Sequence, residues 1–247
     1  MNTKKKAMRL KADLHIHTVL SPCGSLWMSP AIIVQRALEE GLQVIGITDH
    51  NSCLNAAIIQ SMAQRHGIFV ITGAEVCTAE DVHCLCFMKD LHQLDVFQKY
   101  LETHYTTVQN NTQRFGEQLV VDENENIIAE VPQLLLAATN ISINALRNKV
   151  RELGGLFIPA HVKRSSYSIS SQLGFMPPDL YPDAIEISRQ ISIQQFSANP
   201  GSFGKLPIIQ SPDAHNPEDI GRAYVFINTK NLCFESIAEA IRTNKII

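Results

Sequence analysis

Near its start the chain reads Asp13-Leu14-His15-Ile16-His17-Thr18. Residues 10–17 have the make-up of a short buried strand. Strand side chains repeat every second residue, so His15 and His17 point to the same side. Two imidazoles on one side are half of a metal site. The bland alternative is a strand end with two buried, hydrogen-bonded histidines. The choice rests on the rest of the chain, where matching pieces recur at other strand ends.

Working outward, Val19-Leu20-Ser21-Pro22-Cys23-Gly24 is a loop by its Ser, Pro and Gly content. Ser29 and Pro30 open a helix with an apolar stripe of Ile32, Ile33, Ala37 and Leu38, and Gly41 ends it. Residues 44–48 form a second strand that runs into Asp49-His50-Asn51. A helix covers about 54–66, and a third strand, 68–72, delivers Gly73-Ala74-Glu75-Val76. A fourth strand, 82–87, contains His83. From 90 to about 141 the chain is richer in Gln, Asn, Thr and Glu and lacks short apolar strands. This stretch reads as a helical insertion over the site, with one or two helices in 91–115 and another over 131–138.

Alternation then resumes. Ser142 caps a helix that ends at Gly154-Gly155, and a strand at 156–158 leads into Pro159-Ala160-His161. Residues 184–187 form a strand with Glu186 inside it, and 206–210 a strand ending in Ser211-Pro212-Asp213-Ala214-His215. A strand at 224–227 and a helix over about 234–242 close the chain. Strand–helix alternation of this kind predicts a mainly parallel sheet. Residues with metal chemistry then fall at the C-terminal ends of successive strands: His15, His17, His50, Glu75, His161, Asp213 and His215. In a β/α barrel those ends form one face, and that face carries the active site. His66, His92 and His104 fall on helices or in the insertion and read as surface or packing residues.

At 247 residues the chain has room for one large α/β domain, and we read it as a single barrel domain over 1–247 with the insertion at about 90–141. A hydrophobic fraction of 45% supports a real core. The formal net charge of -3 provides no global basic field for nucleic acid. An anionic substrate would therefore be held by local cations, for which Lys163, Arg164 and Arg189 are the candidates. The six cysteines show no C-x-x-C pair and fit a reducing cytoplasm. Met1 to Lys6 is basic, but no apolar signal core follows it, and no apolar run approaches the ~20 residues needed to cross a bilayer. The expectation is a soluble cytoplasmic protein with no membrane partner.

Asp13-Leu14-His15-Ile16-His17-Thr18, Thr48-Asp49-His50, Gly73-Ala74-Glu75-Val76, Pro159-Ala160-His161 and Asp213-Ala214-His215, in that order, resemble the PHP family (polymerase and histidinol phosphatase). The resemblance covers nearly the whole chain apart from the middle insertion. It implies a distorted (β/α)7 barrel, a cluster of two or three divalent metal ions and hydrolysis of phosphate esters. By position it implies that His15, His17, Glu75 and Asp213 hold one metal. Glu75 would bridge to a second, also held by His83 and His161, and His50 and His215 would hold a third.

These residue types suit Zn²⁺, Mn²⁺ or Fe²⁺. A carboxylate can bridge two cations where an imidazole cannot, which singles out Glu75. The nucleophile is then metal-bound water, with no serine or cysteine nucleophile required; no residue stands out as the general acid. Asp13 and Asp49, beside the ligands, either orient histidines or make capping and turn hydrogen bonds. One departure stands out. Many family members place an Asp or His ligand in the loop after the second histidine, whereas this loop reads Ser21-Pro22-Cys23-Gly24-Ser25. Cys23 is either a third-site ligand or a small buried cysteine. The function expected first is hydrolysis of a small-molecule phosphate monoester. A phosphodiesterase acting on nucleic acid or oligonucleotides is the alternative, and a non-catalytic, metal-stabilised partner domain the third.

Overall fold

The computed structural model describes residues 7–247; the basic start, 1–6, lies outside them. In chain order the first half comprises β1 (Met8–Ile16), α1 (Pro30–Glu39), β2 (Val44–Ile47), α2 (Ala56–Gln64), β3 (Phe69–Cys77) and β4 (His83–Phe87). The middle holds α3 (Leu91–Glu102), α4 (Thr112–Phe115), β5 (Leu119–Val121) and β6 (Ile127–Glu130). The remainder is α5 (Ile143–Glu152), β7 (Leu156–Pro159), α6 (Ile169–Gln172), β8 (Ile185–Ser188), α7 (Ile193–Ala198), β9 (Ile208–Ser211), β10 (Val225–Thr229) and α8 (Phe234–Arg242).

Six strands form one curled sheet in the order β10-β1-β2-β3-β4-β7. β1, β2 and β3 run parallel, each linked to the next by a helix. β8 and β9 pair parallel and continue the curl. Backbone hydrogen bonds from Val162 N to Glu186 O and from Asp183 N to Phe157 O tie β7 to β8. His17 N to Ala214 O and Ala214 N to His15 O, both 3.0 Å, tie the end of β9 back to β1. The result is a mixed α/β fold with a half-barrel sheet.

The sheet departs from a fully parallel barrel at two places. β4 is antiparallel to both β3 and β7, and β10 is antiparallel to β1. The reason at β4 is local: only residues 78–82 join it to β3, too few for a parallel crossover. Because β4 runs backwards, its first residue, His83, pairs with Cys77 at the C-terminal end of β3. A histidine that sequence order places at the wrong end of a strand thus stands on the same face as the others.

Two packing layers hold the sheet. Leu10, Ala12 and Leu14 pack with Val44, Leu85, Ile158 and Ile209, and α8 joins this core through Ile237 and Ile241. Ile16 instead packs with Ile33 and Ile59 of α1 and α2. The β1–β2 register shifts between Asp13 and Ile16, so β1 changes phase just where its histidines begin. Tight strand contact also explains two glycines: a Cβ at Gly46 would lie 2.6 Å from Leu14 O, and one at Gly73 2.2 Å from Cys86 O.

The segment over 90–141 is not wholly helical. α3 is capped by the Asp90 side chain, which accepts from Gln93 N, but α4 is a single turn and β5–β6 is an antiparallel hairpin. Asp122 folds the hairpin turn by accepting from Asn124 N and Asn126 N. The helix expected over 131–138 does not form. Pro132 disfavours helical geometry at Val131, and one buried glutamine claims the backbone. Gln118 Nε2 donates to Val131 O and Gln133 O, and its Oε1 accepts from Leu135 N. Asn51, next to His50, donates to Leu135 O and Ala137 O, and so anchors the segment beside the histidines. Among the described residues no helix is long and apolar enough to cross a membrane.

Candidate metal centre

The C-terminal ends of β1, β2, β3, β7 and β9, with the start of β4, bring all eight expected His, Glu and Asp ligands together. His15 Nε2 and His17 Nε2 are 3.1 Å apart. Each lies 3.4 Å from Glu75 Oε2 and 3.2 Å from Asp213 Oδ1. A tetrahedral ion with ligand bonds of about 2.0–2.1 Å would place its ligands about 3.3–3.4 Å apart. The four donor atoms are therefore spaced as ligands of a single ion would be. Asp213 Oδ1 and His50 Nδ1 are buried without a hydrogen-bond partner, a state that a cation relieves. The donor set fits a divalent metal.

The other oxygen of Glu75 faces a second set. Oε1 lies 3.1 Å from His83 Nδ1 and 3.1 Å from His161 Nε2. His50 Nδ1 is 3.2 Å from Oε2, between the two sets. Glu75 is thus the hub, with five imidazoles around one buried carboxylate. Burial opposes its ionisation, yet His83 and His15 hold it well below the usual carboxylate range. Asp213 is likewise held low against burial, by His15 and His17. Burial alone would lower His17, but Asp213 and Glu75 push it up to about 9. His50 is driven the other way, well below the usual histidine range, by burial and by His17.

A third group lies toward the rim. His215 Nε2 is 3.1 Å from Cys23 Sγ, and the His215 ring stacks on His17 with centroids 4.1 Å apart. Burial and His17 push His215 down to about 4, so it is neutral near pH 7. Cys23 is exposed rather than buried, so it is not the small core cysteine that sequence left open. Although the residue as a whole is exposed, its sulfur sits against His215, and the loss of water there, with the nearby Glu75 and Asp213, pushes the thiol up to about 12.

The supporting shell was only partly legible. Asp49 does orient a histidine, but through Ser21: its Oδ1 accepts from Ser21 Oγ at 2.6 Å, and Ser21 Oγ in turn accepts from His17 Nδ1 at 2.9 Å. Asp13 takes the other course, accepting from Gly221 N and His15 N, and contacts no imidazole ring. The residue that sequence reading did not single out as a partner is Glu186. Both its oxygens lie 3.1 Å from His15 Nδ1, and Oε2 accepts from His161 N at 3.0 Å. The available signal was an acid inside an otherwise apolar strand. By occupying Nδ1, Glu186 leaves His15 Nε2 free to face the centre.

The centre opens into a cleft of about 620 Å³ whose walls include Lys163, Arg164, Ser165, Arg189 and His215. The two arginines are already engaged: Arg164 Nη1 donates to Asp213 Oδ2 at 2.8 Å and Arg189 Nη1 to Asp219 Oδ1 at 2.9 Å. Arg164 therefore positions a centre carboxylate. Lys163 Nζ lies 5.3 Å from the Phe203 ring centroid. His161 and Asp213 both sit in left-handed backbone, at φ 31° and 58°, a strain of the kind that clusters at functional sites.

Comparison with known proteins agrees with this geometry. A family model described as "PHP domain" matches residues 13–160, and one described as "PHP-associated" matches 205–246. The uncharacterised protein YqxK of Bacillus subtilis is 22% identical, over 95% of this chain and 62% of that protein. The lesion-specific endonuclease PfuEndoQ of Pyrococcus furiosus superposes with a TM-score of 0.66 at 20% identity, over 96% of this chain and 56% of that one. A two-domain protein of Bacteroides vulgatus, containing a predicted PHP-like metal-dependent phosphoesterase, gives 0.58 at 17%, over 97% and 64%. The chain spans less than two thirds of the length of each of these relatives, and at such identities the structural likeness is one of fold. The family model, in contrast, covers more than half of the chain, including His15, His17, His50, Glu75 and His83. The chain belongs to the PHP family.

Proposed function

We propose that the chain is a metal-dependent phosphoesterase that hydrolyses a small phosphate monoester. The observation that carries this is buried Glu75, whose two oxygens face two separate sets of imidazole nitrogens, beside a cleft that His161 and Asp213 line. His15, His17, Glu75 and Asp213 would hold one divalent ion, and Glu75, His83 and His161 a second. His50, His215 and Cys23 would hold a third. Imidazole and carboxylate donors suit Zn²⁺, Mn²⁺ or Fe²⁺. When bound, a pair of such ions supplies a water that loses its proton near neutral pH and positive charge for the phosphoryl oxygens.

The chain's own residues do the positioning. Glu186 fixes His15, Ser21 and Asp49 fix His17, and Arg164 fixes Asp213. Lys163, on the cleft wall, is the cation without a carboxylate partner among the described residues and so is available to the outer oxygens of a phosphoryl group, while Arg189 would first have to leave Asp219. A cleft of about 620 Å³ lies in the range of small-ligand pockets. The net charge of -3 supports a small substrate over a long polyanion. All six cysteines are free, in keeping with a reducing cytoplasmic setting.

The likeness to a lesion-specific endonuclease supports a second reading, cleavage of a phosphodiester in DNA. One assay separates the two. Protein stripped by chelator and reloaded with Mn²⁺ or Zn²⁺ is offered a panel of small monoesters, simple diesters and DNA oligonucleotides, with His15→Ala beside it. Metal-dependent phosphate release from monoesters, lost in His15→Ala, is the expected result. Cleavage confined to diesters or DNA would replace the monoester reading with the second. No turnover by metal-loaded protein would leave a non-catalytic domain.

A further inference from the structure

The metal centre occupies the end of the sheet to which β7 and β9 point. The opposite end carries an unrelated constellation. Arg147 and Arg151 on the second half of α5 and Arg242 at the end of α8 line one cavity of about 460 Å³, beside Gly154, Gly155 and Tyr181. Phe157, near the start of β7, forms part of its floor, while His161 follows the far end of the same strand.

The charges at this cavity do not balance. Among the described residues Asp183 is the one carboxylate that lines it, and that carboxylate is already used. One oxygen accepts from Arg242 Nε at 2.6 Å and the other from Phe157 N at 2.8 Å. Arg242 Nη2 also donates to Gly155 O, which locks this guanidinium in place. The other two are not neutralised. Arg147 Nη2 donates to the backbone oxygen of Asp179 at 3.0 Å, the Asp179 carboxylate accepts instead from Asn144, Arg147 forms no ion pair among the described residues, and its Nε is buried with no hydrogen-bond partner. The Arg151 guanidinium is exposed and has no hydrogen bond or ion pair among the described residues. Two uncompensated positive charges therefore share a concave site on a chain whose net charge is -3.

We infer that this cavity is a second anion site, distant from the metal centre, that binds the phosphate group of a small molecule. Two planar guanidinium forks on adjacent turns of one helix present donors that match tetrahedral oxyanions, and a dianion relieves their mutual repulsion. Arg242, held rigid by Asp183 and Gly155, forms the third side. The Tyr181 hydroxyl at the rim, on a side chain that is 73% exposed, is a further donor. The acidic balance of the chain favours a small phosphate over a nucleic-acid backbone.

The test is titration of the metal-loaded full chain with inorganic phosphate by calorimetry, after free metal has been removed by gel filtration. Two classes of site are expected. One is lost in His15→Ala; the other survives there and weakens at least about tenfold in Arg151→Glu, a change at an exposed side chain whose loss breaks no bond. Arg147→Ala should weaken the same class. A parallel titration with a single-stranded oligonucleotide should leave this class unfilled. A single class, lost in His15→Ala and untouched by Arg151→Glu and Arg147→Ala, would overturn the inference. So would a second class filled by the oligonucleotide but not by inorganic phosphate.

Discussion

The two halves of the candidate metal centre are built differently. His15, Glu75 and His83 lie on strands β1, β3 and β4 within one hydrogen-bonded sheet, and their side chains are all but buried. His161, Asp213 and His215 lie just beyond β7 and β9, two of them in left-handed backbone, and Asp213 and His215 reach the cleft. The sheet half is fixed by strand pairing and by the apolar packing on either side of the sheet. The loop half is held by polar contacts: the backbone bonds of Ala214 with His15 and His17, Glu186 to His161 N, and Arg164 to Asp213. One family model covers 13–160 and the other 205–246. The stretch between them carries Lys163, Arg164, Glu186 and Arg189. Each candidate donor set draws on both halves, Asp213 in one and His161 in the other, while the side chains that line the cleft come mainly from the loop half.

The strongest way to break that contrast is at the hub. Glu75→Gln removes the charge that both donor sets share. Metal content should fall below one ion per chain and turnover by about 10³-fold or more, read by elemental analysis and by phosphate release. If Glu75→Gln kept two ions, the hub role would be lost. Glu186→Gln should act more gently, lowering metal affinity about 10- to 100-fold while the fold is retained. Competition with a chromogenic chelator reads this directly, and unchanged affinity would remove Glu186 from the support of His15.

Proton competition probes the same centre. In the metal-free protein His17, pushed up to about 9 by Asp213 and Glu75, carries a proton at pH 7. A cation needs that nitrogen's lone pair and must displace the proton. Affinity should therefore climb with pH up to about 9 and fall about tenfold per unit below it for each proton displaced. Calorimetry in buffers of differing ionisation enthalpy measures the proton release, and uptake with none released would contradict the account. The smallest effect is expected at Arg164→Ala. Its pair with Asp213 is partly exposed, so affinity should weaken only about two- to fivefold.

Much of this division was visible in the residues themselves. Histidines and acids ending short apolar runs placed the sheet half, because alternation along a strand fixes which side chains share a face. His83 entered only through the family resemblance: a parallel sheet would have set it at the wrong end, and the short 78–82 turn is what makes β4 antiparallel. The insertion was misread as wholly helical because its polar composition hides the clamp made by Gln118, a contact between residues distant along the chain. The Ser21 relay from Asp49 to His17, and the commitment of Arg164 and Arg189 to carboxylates, were equally invisible. Each depends on where loops meet, and no periodicity records that. Glu186 left a trace as an acid in an apolar strand, but its partner lies 171 residues away along the chain.

The most direct test of the central claim is to count and locate the metal. Purified chain, stripped and reloaded with Mn²⁺ or Zn²⁺, would be crystallised and its ions placed by anomalous diffraction. The account predicts one ion among His15, His17, Glu75 and Asp213 and another among Glu75, His83 and His161, with Glu75 touching both. An empty cluster in reloaded protein, or ions bound without Glu75, would contradict it.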